Sequence, residues 1–508
     1  MQNASIDNKR IARNTLMLYI RMFMIMGVSL VTFRLLLQTL GETDYGIYNV
    51  VGGVVVLFAF LNNAMSQSSQ RFFAYYIGNN DKLMLSRMFS ASVAIHLIIA
   101  AIAFVLAETV GLWFLNSYMN FPPDSMPAVN IVYQSCIAVF IIQILIIPYH
   151  ASIISYERMS FYAYLSIIEV VLKLSAVLIL FLFNTRRLVI YSYAIVGVTL
   201  IIALFYRFYC RRRFDVCRTA VSFDKEIIMQ LAGFSGWNML GGIGNIGASQ
   251  GVNIIFNIFH GVALNAAMGV ANQVSGAVSS FVSNFQTAFN PQIVKSYANN
   301  EIRDFQSLIF RASRVSFGLI FVIGLPVILL AKSILSVWLT EVPQYAVEFT
   351  QLIVIFCMID AISGPLWTAA QASGRIKSYM IIISLMIFSN VPAAFVILYL
   401  GYSPVWVFVY KVAMNLLIHF VRIGYLLYSI DFPGWRYLMR VMIPILCTVA
   451  AVLPIPLFLM WRGVAEDIPG AIAVASVAVV EGIVTFLFIL LTRHERDIVF
   501  KKFSRYLR

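Results

Sequence analysis

The residues best able to do chemistry in this chain are basic and amide side chains set inside apolar runs. Arg21 and Arg34 interrupt the first run. Asn49, Asn63, Gln67 and Gln70 fall near one helical face of the second. Asn238, Asn245, Ser249 and Asn253 stack along a later run, and Asn265, Asn272, Ser279, Ser283 and Asn290 along the next. An amide or hydroxyl in hydrocarbon needs a partner. Interhelical hydrogen bonding supplies one explanation. The other is a wet cavity whose Asn, Gln and Ser groups bond sugar hydroxyls.

The charged groups divide in the same way. An ionisable side chain at membrane depth costs roughly 2.5 kcal/mol or more, so it faces a bundle interior or a wet cavity. Arg21 has no acidic partner in its own run, and its guanidinium fork matches phosphate oxygens. Arg34 lies about 20 Å further along, on roughly the opposite side, and is placed to snorkel outward. Glu169 and Lys173 stand at i,i+4, the spacing of an intrahelical ion pair; self-neutralisation and ion coupling are both open to them. Lys411, Asn415 and Arg422 share a face, while Asp360, Glu108 and Glu481 lack an obvious partner. A buried unpaired carboxylate is either protonated or part of a relay. The candidate substrate-binding set is therefore Arg21, Asn49, Asn63, Gln67, Asn238, Asn245, Ser249, Asn272, Ser279 and Ser283. The ion-coupling candidates are Glu169, Lys173 and Asp360.

Other chemistry is poorly provided for. Gly242, Gly244 and Gly247 match the dinucleotide fingerprint in letters, but they lie inside an apolar helix rather than after a strand. Gly247 and Gly251, at GxxxG spacing, suit close helix approach instead. No GxxxxGK[ST] loop, HExxH or credible nucleophile constellation occurs, and the five Cys have no metal-site spacing. No enzymatic activity, cofactor or metal is expected.

Composition explains what must position these groups. The 508 residues are 61% hydrophobic and 11% charged, with a mean hydropathy of +0.86, against about 25% charged in soluble domains. The reading is an all-α polytopic membrane protein with about fourteen spans. They fall at roughly 14–38, 45–67, 88–115, 128–150, 160–183, 188–209, 229–258, 262–289, 309–334, 345–370, 378–400, 404–429, 440–461 and 470–492. The net charge of +14 sits in short loops on one side, which places both termini in the cytoplasm and argues against nucleic acid. The N-terminus lacks a small-residue cleavage site, so the first span is expected to be retained.

The chain also repeats. A shift of 221 positions aligns Phe60 with Phe281, Asn63 with Asn284, Tyr76 with Tyr297, Asn79 with Asn300, Phe89 with Phe310 and Ser92 with Ser313. A shift of 217 aligns Pro148 with Pro365, Arg158 with Arg375 and Tyr162 with Tyr379. Two matches in the same order indicate a duplicated lobe. The expected organisation is an N-lobe over 1–217, a C-lobe over 218–430, and two further spans with a basic tail over 431–508. The basic stretch Arg207 to Glu226 lies where a hinge between lobes belongs, and reads as a topology anchor on anionic lipid headgroups.

The stretch LGETDYGIYNVVGGVVVLFAFLNNAMSQSSQRFFAYYIGNND resembles the start of the bacterial O-antigen and capsule repeat-unit flippases. These belong to the superfamily that also holds multidrug and toxin extrusion transporters and lipid II flippases. The likeness continues more weakly through Ser155–Arg158 and Gln371–Arg375 to about residue 430. It implies two six-span lobes around a central cavity, alternating access, and a cargo of undecaprenyl-pyrophosphate-linked oligosaccharide, with Arg21 as the matching basic residue of span one. Membrane lipids, and a polysaccharide polymerase or glycosyltransferases, are the implied partners, in the bacterial inner membrane. The uncharged, Asn-rich span seven departs from flippases with several cations in the second lobe. Two rivals remain: a drug or cation antiporter of the same fold, which wants an acidic, aromatic cavity, and a non-transporting scaffold for glycosyltransferases.

Overall fold

A computed structural model describes residues 2–497 apart from 57–64, 67, 71, 74–75, 78, 80, 157, 184, 220–221, 374–375 and 494. The side chains of 1–21, 54, 56, 123, 159, 230, 232–243, 245, 284, 287–288, 291, 295, 298 and 376 also lie outside the described residues. All regular structure among the described residues is helical. That is what an apolar chain in lipid must do, because no water is present there to satisfy the backbone.

The helical stretch Gln2–Val56 is broken at Gly41 (φ 78°, ψ 175°), so it holds two spans, α1 before that glycine and α2 after it. A left-handed φ is cheap only for glycine, which fixes the turn there. The following spans are α3 (Lys82–Tyr118), α4 (Met126–Ser155), α5 (Ser160–Leu182) and α6 (Arg187–Arg213). Next come the long helices α7 (Lys225–His260) and α8 (Val262–Ala298). Then follow α9 (Ile302–Leu329), α10 (Ala346–Ala372), α11 (Lys377–Tyr399), α12 (Val405–Ile430), α13 (Gly434–Trp461) and α14 (Ile468–Leu490). The helices follow the fourteen apolar runs read from the sequence, and among the described residues eleven stretches are long and apolar enough to cross a membrane. Asp81, Asp224 and Asp467 cap the starts of α3, α7 and α14, each carboxylate accepting a first-turn N–H. Exposed Ile102, Phe104 and Val105 on α3 contrast with buried Met88, Ser92 and His96. The outer surface is apolar because it meets lipid rather than water.

Two compact units are present, Met1–Ala266 and Ala267–Arg508. In the first, α4 packs on α6, α5 on the stretch Gln2–Val56, and α7 on that stretch and on α3. In the second, α9 packs on α10 and α14, and α10 on α12. The residues paired by the repeat share local features, though their aromatic partners come from different elements. Pro148 and Pro365 each lie inside a helix, Ser92 and Ser313 are buried, and Phe89 meets Tyr149 edge-on at 5.4 Å as Phe310 meets Tyr437 at 5.7 Å.

The segment from Arg207 to Glu226 is fastened to the first unit. Arg87 Nη2 lies 2.6 Å from Asp224 Oδ2, Ser86 and Thr219 hydroxyls are 2.8 Å apart, and Ser222 N donates to Ser90 Oγ at 2.6 Å. Phe214 stacks on Tyr156 at 4.1 Å. Its hydroxyl and aromatic residues fasten it. The last two spans pack on α9. Gly318 of α9 gives room to Phe486 of α14, and Glu495 beyond α14 bonds Arg311 at 3.1 Å and Arg314 at 3.5 Å.

Candidate functional site

In the first unit, the C-terminal part of the α7 stripe is spent on holding helices together. Asn253 (4% exposed) donates from Nδ2 to Asn49 Oδ1 of α2 at 3.2 Å. Asn49 in turn donates to the Tyr45 hydroxyl at 3.5 Å. Asn265 donates from Nδ2 to both the carbonyl and the Oδ1 of Asn253, each at 2.7 Å. One turn below Asn253's face, Asn257 clamps the loop between α3 and α4. Its Oδ1 accepts from Asn120 N at 2.8 Å, and its Nδ2 donates to Asn120 O at 3.2 Å. Gly53, lacking a Cβ, lets Gln250 and Asn253 approach α2. Asn49 therefore joins α7 by an amide bridge, and Ser249 is half-buried. The side chains of Arg21, Asn238 and Asn245, and the residues Asn63 and Gln67, lie outside the described residues.

In the second unit, the α8 stripe does not behave as one face. Ser279 donates to Cys357 Sγ of α10 at 3.4 Å, with Ser275 beside it at 3.2 Å. Asn290 Oδ1 accepts from the Thr368 hydroxyl at 2.9 Å. Asn272 and Ser283 are exposed, Ser283 donating to the carbonyl of Ser280 at 3.1 Å. Gln286, which the periodicity did not single out, donates to Ser316 Oγ at 3.1 Å and to the carbonyl of Ala361 at 2.9 Å, in space left by Gly364.

Lys411 of α12 completes this region. Its Nζ stands 4.8 Å from the centre of the Phe356 ring and 5.7 Å from that of Phe408, both cation–π distances. Cys357 and Asp360 lie within electrostatic reach of it. Asp360, which looked partnerless in sequence, is exposed, and it acts on Lys411 electrostatically with no ion pair between them among the described residues. Glu108 also gains a partner. It sits in a π turn, Ala107–Gly111, and accepts from Gln134 Nε2 at 3.1 Å. Glu169 and Lys173 form the expected ion pair at 2.6 Å, each side chain partly exposed.

In the second unit, the Ser275 and Ser279 hydroxyls meet the Cys357 thiol of α10, and the Lys411 ammonium lies over the ring of the adjacent Phe356. Among the described residues no group of three His, Cys, Asp or Glu could hold a metal. Ser275 and Cys357 were missed by the sequence reading, although Ser275 stands one turn before Ser279; Cys357 gave no signal as a lone thiol.

No family model matches the chain, and no curated protein does. Solved structures do. A transporter of the MOP superfamily from Pyrococcus furiosus, described as having a binding pocket of reverse polarity, superposes with a TM-score of 0.60 at 14% identity, covering 81% of this chain and 94% of that one. A multidrug resistance MATE transporter in its outward-facing conformation gives 0.60 at 13% identity, over 84% and 96%. A Vibrio cholerae MATE transporter gives 0.58 at 16% identity, over 85% and 99%. The chain thus has the fold of the MATE transporters of the MOP superfamily.

Proposed function

We propose that this protein is a flippase that moves undecaprenyl-pyrophosphate-linked oligosaccharide repeat units across the bacterial inner membrane for surface polysaccharide synthesis. It works by alternating access, with both termini in the cytoplasm. The N-lobe is 1–217, the C-lobe 218–430, and 431–508 carries the added spans. Arg21 takes the pyrophosphate, and the amides and hydroxyls of spans two, seven and eight take the sugar. The observation that carries this reading is the sign of the charge. An exporter of organic cations needs carboxylates and free aromatic faces. Here the protein's own Lys411 ammonium occupies the faces of Phe356 and Phe408, and spans one, two, seven and eight contain no acidic residue.

A drug or cation antiporter is the second reading. It is favoured by the multidrug MATE transporters among the fold neighbours and would use Asp360 as its carboxylate. The two separate in proteoliposomes holding a labelled lipid-linked oligosaccharide, with a membrane-impermeant modifying enzyme outside. The flippase reading expects label to cross, Arg21→Ala to abolish crossing, and Arg21→Lys to restore part of it, because the bidentate fork is lost. Label that never crosses under any ion gradient, alongside exchange of an organic cation for protons, overturns it.

A further inference from the structure

Where α9, α13 and the end of α14 meet, guanidinium groups outnumber carboxylates. Arg311 and Arg314 stand three residues apart on α9, a spacing that puts them on one face. Both reach the carboxylate of Glu495, Arg311 Nε at 3.1 Å from Oε1 and Arg314 Nη2 at 3.5 Å from Oε2. That Oε2 also accepts the N–H of Thr492 at 2.8 Å, so both oxygens are engaged. Arg314 Nη1 donates to the backbone carbonyl of Arg440 at 3.3 Å, which brings the start of α13 to the same place. Arg440 is exposed, and its side chain makes no ion pair among the described residues. One carboxylate thus serves a corner that carries three guanidinium groups.

The inner and outer groups differ in access. The side chains of Glu495 and Arg314 are 10% and 12% exposed, that of Arg311 41%. Arg311 gives only Nε to Glu495, and its Nη groups have no protein partner among the described residues. An open guanidinium fork matches phosphate oxygens. The surplus positive charge favours an anionic headgroup over one that carries its own ammonium. The flanks are apolar. Met439 and Ile443 on either side of Arg440, and Phe488 of α14, are exposed. Phe486 packs on Gly318, one turn beyond Arg314, which holds α14 against α9 at this level. In a bilayer such exposed apolar side chains meet acyl chains, and a basic site between spans beside them suits an acidic lipid head.

We propose that this corner of the second unit binds an acidic phospholipid. The Arg311 Nη groups and Arg440 take its phosphodiester, Arg314 and Glu495 hold the site together, and Met439, Ile443 and Phe488 meet its acyl chains. None of these residues belongs to the proposed cargo site, so the inference does not rest on the flippase reading.

The test uses the purified full-length protein in a non-ionic detergent. Its thermal melting is followed as phosphatidylglycerol or phosphatidylcholine is added at matched mole fractions. A saturable rise specific to phosphatidylglycerol is expected, because a ligand that binds only the folded state stabilises it by mass action. Arg440→Gln breaks no protein ion pair. Read against its own phosphatidylcholine baseline, it should move the phosphatidylglycerol midpoint upward by about 10-fold, the size of one hydrogen bond to a charged group. Adding Arg311→Gln to it should abolish the response. Equal rises with the two lipids overturn the proposal, as does inorganic phosphate reproducing the rise at constant ionic strength. A midpoint that Arg440→Gln leaves unmoved, or a response that survives the double change, overturns it too.

Discussion

Gly46 offers the sharpest test of how the first unit is put together. A Cβ there would stand 2.9 Å from the carbonyl carbon of Val262 and 3.0 Å from its Cβ, and closer still to the carbonyl oxygen. Ordinary contact needs 3.4–4 Å, and backbone atoms cannot rotate aside. Gly46→Ala must therefore push α2 away from the start of α8 by several tenths of an ångström. Overpacking of this kind costs about 1–3 kcal/mol. Gly52, two turns later in α2, has nothing within 4 Å of its virtual Cβ, so Gly52→Ala is the control. Both changes gain about 0.5–1 kcal/mol of helix propensity, which cancels in the comparison. The expected gap is about 1–3 kcal/mol, or roughly 2–6 °C in melting for a cooperative unit of this size. The assay is the melting of both variants in one detergent, followed by gel filtration of the surviving monodisperse fraction. If Gly46→Ala melts at or above Gly52→Ala, the close crossing of α2 and Val262 is wrong.

Three further outcomes are expected. Neutralising Glu169 or Lys173 singly leaves a charge unpaired at membrane depth and should lower membrane abundance more than the double change does; a double variant that is abundant but inactive would assign the pair to ion coupling instead. The Arg87 guanidinium, hydrogen-bonded to Asp224, holds that carboxyl below its ordinary value of 3.8, so the staple is fully present above that value and is lost as pH falls below it. Arg87→Ala should mimic that loss at neutral pH, read as faster chymotryptic cleavage at exposed Phe223, and cleavage equal to wild type would remove the staple from the account. Reporter fusions after Arg213 and at the C-terminus should report cytoplasm and one near Asn120 the outside; a cytoplasmic signal at Asn120 would remove the fourteen-span topology.

Much of the fold is written in the sequence by itself. Runs of apolar residues long enough to cross a bilayer specify helices, because lipid offers the backbone no other partner. Gly41 specifies the turn between the first two spans, and Phe89/Phe310 and Pro148/Pro365 are equal residues at nearly equal offsets. The i,i+4 spacing of Glu169 and Lys173 predicts their ion pair, because one helix fixes the distance between them. What periodicity does not contain is the identity of the facing helix. It groups Asn49 with a polar stripe, yet only packing shows that Asn253 bridges to it and that Asn257 clamps Asn120. It leaves Lys411 alone, yet the rings of Phe356 and Phe408 meet its ammonium. It gives no reason to notice Cys357, Gln286 or His419, whose partners lie 30 to 82 positions away in the chain. A helical face is a local property of three or four turns. Which polar group is satisfied and which is left open is decided by long-range contacts, and for this chain those contacts select the groups that remain free to bind.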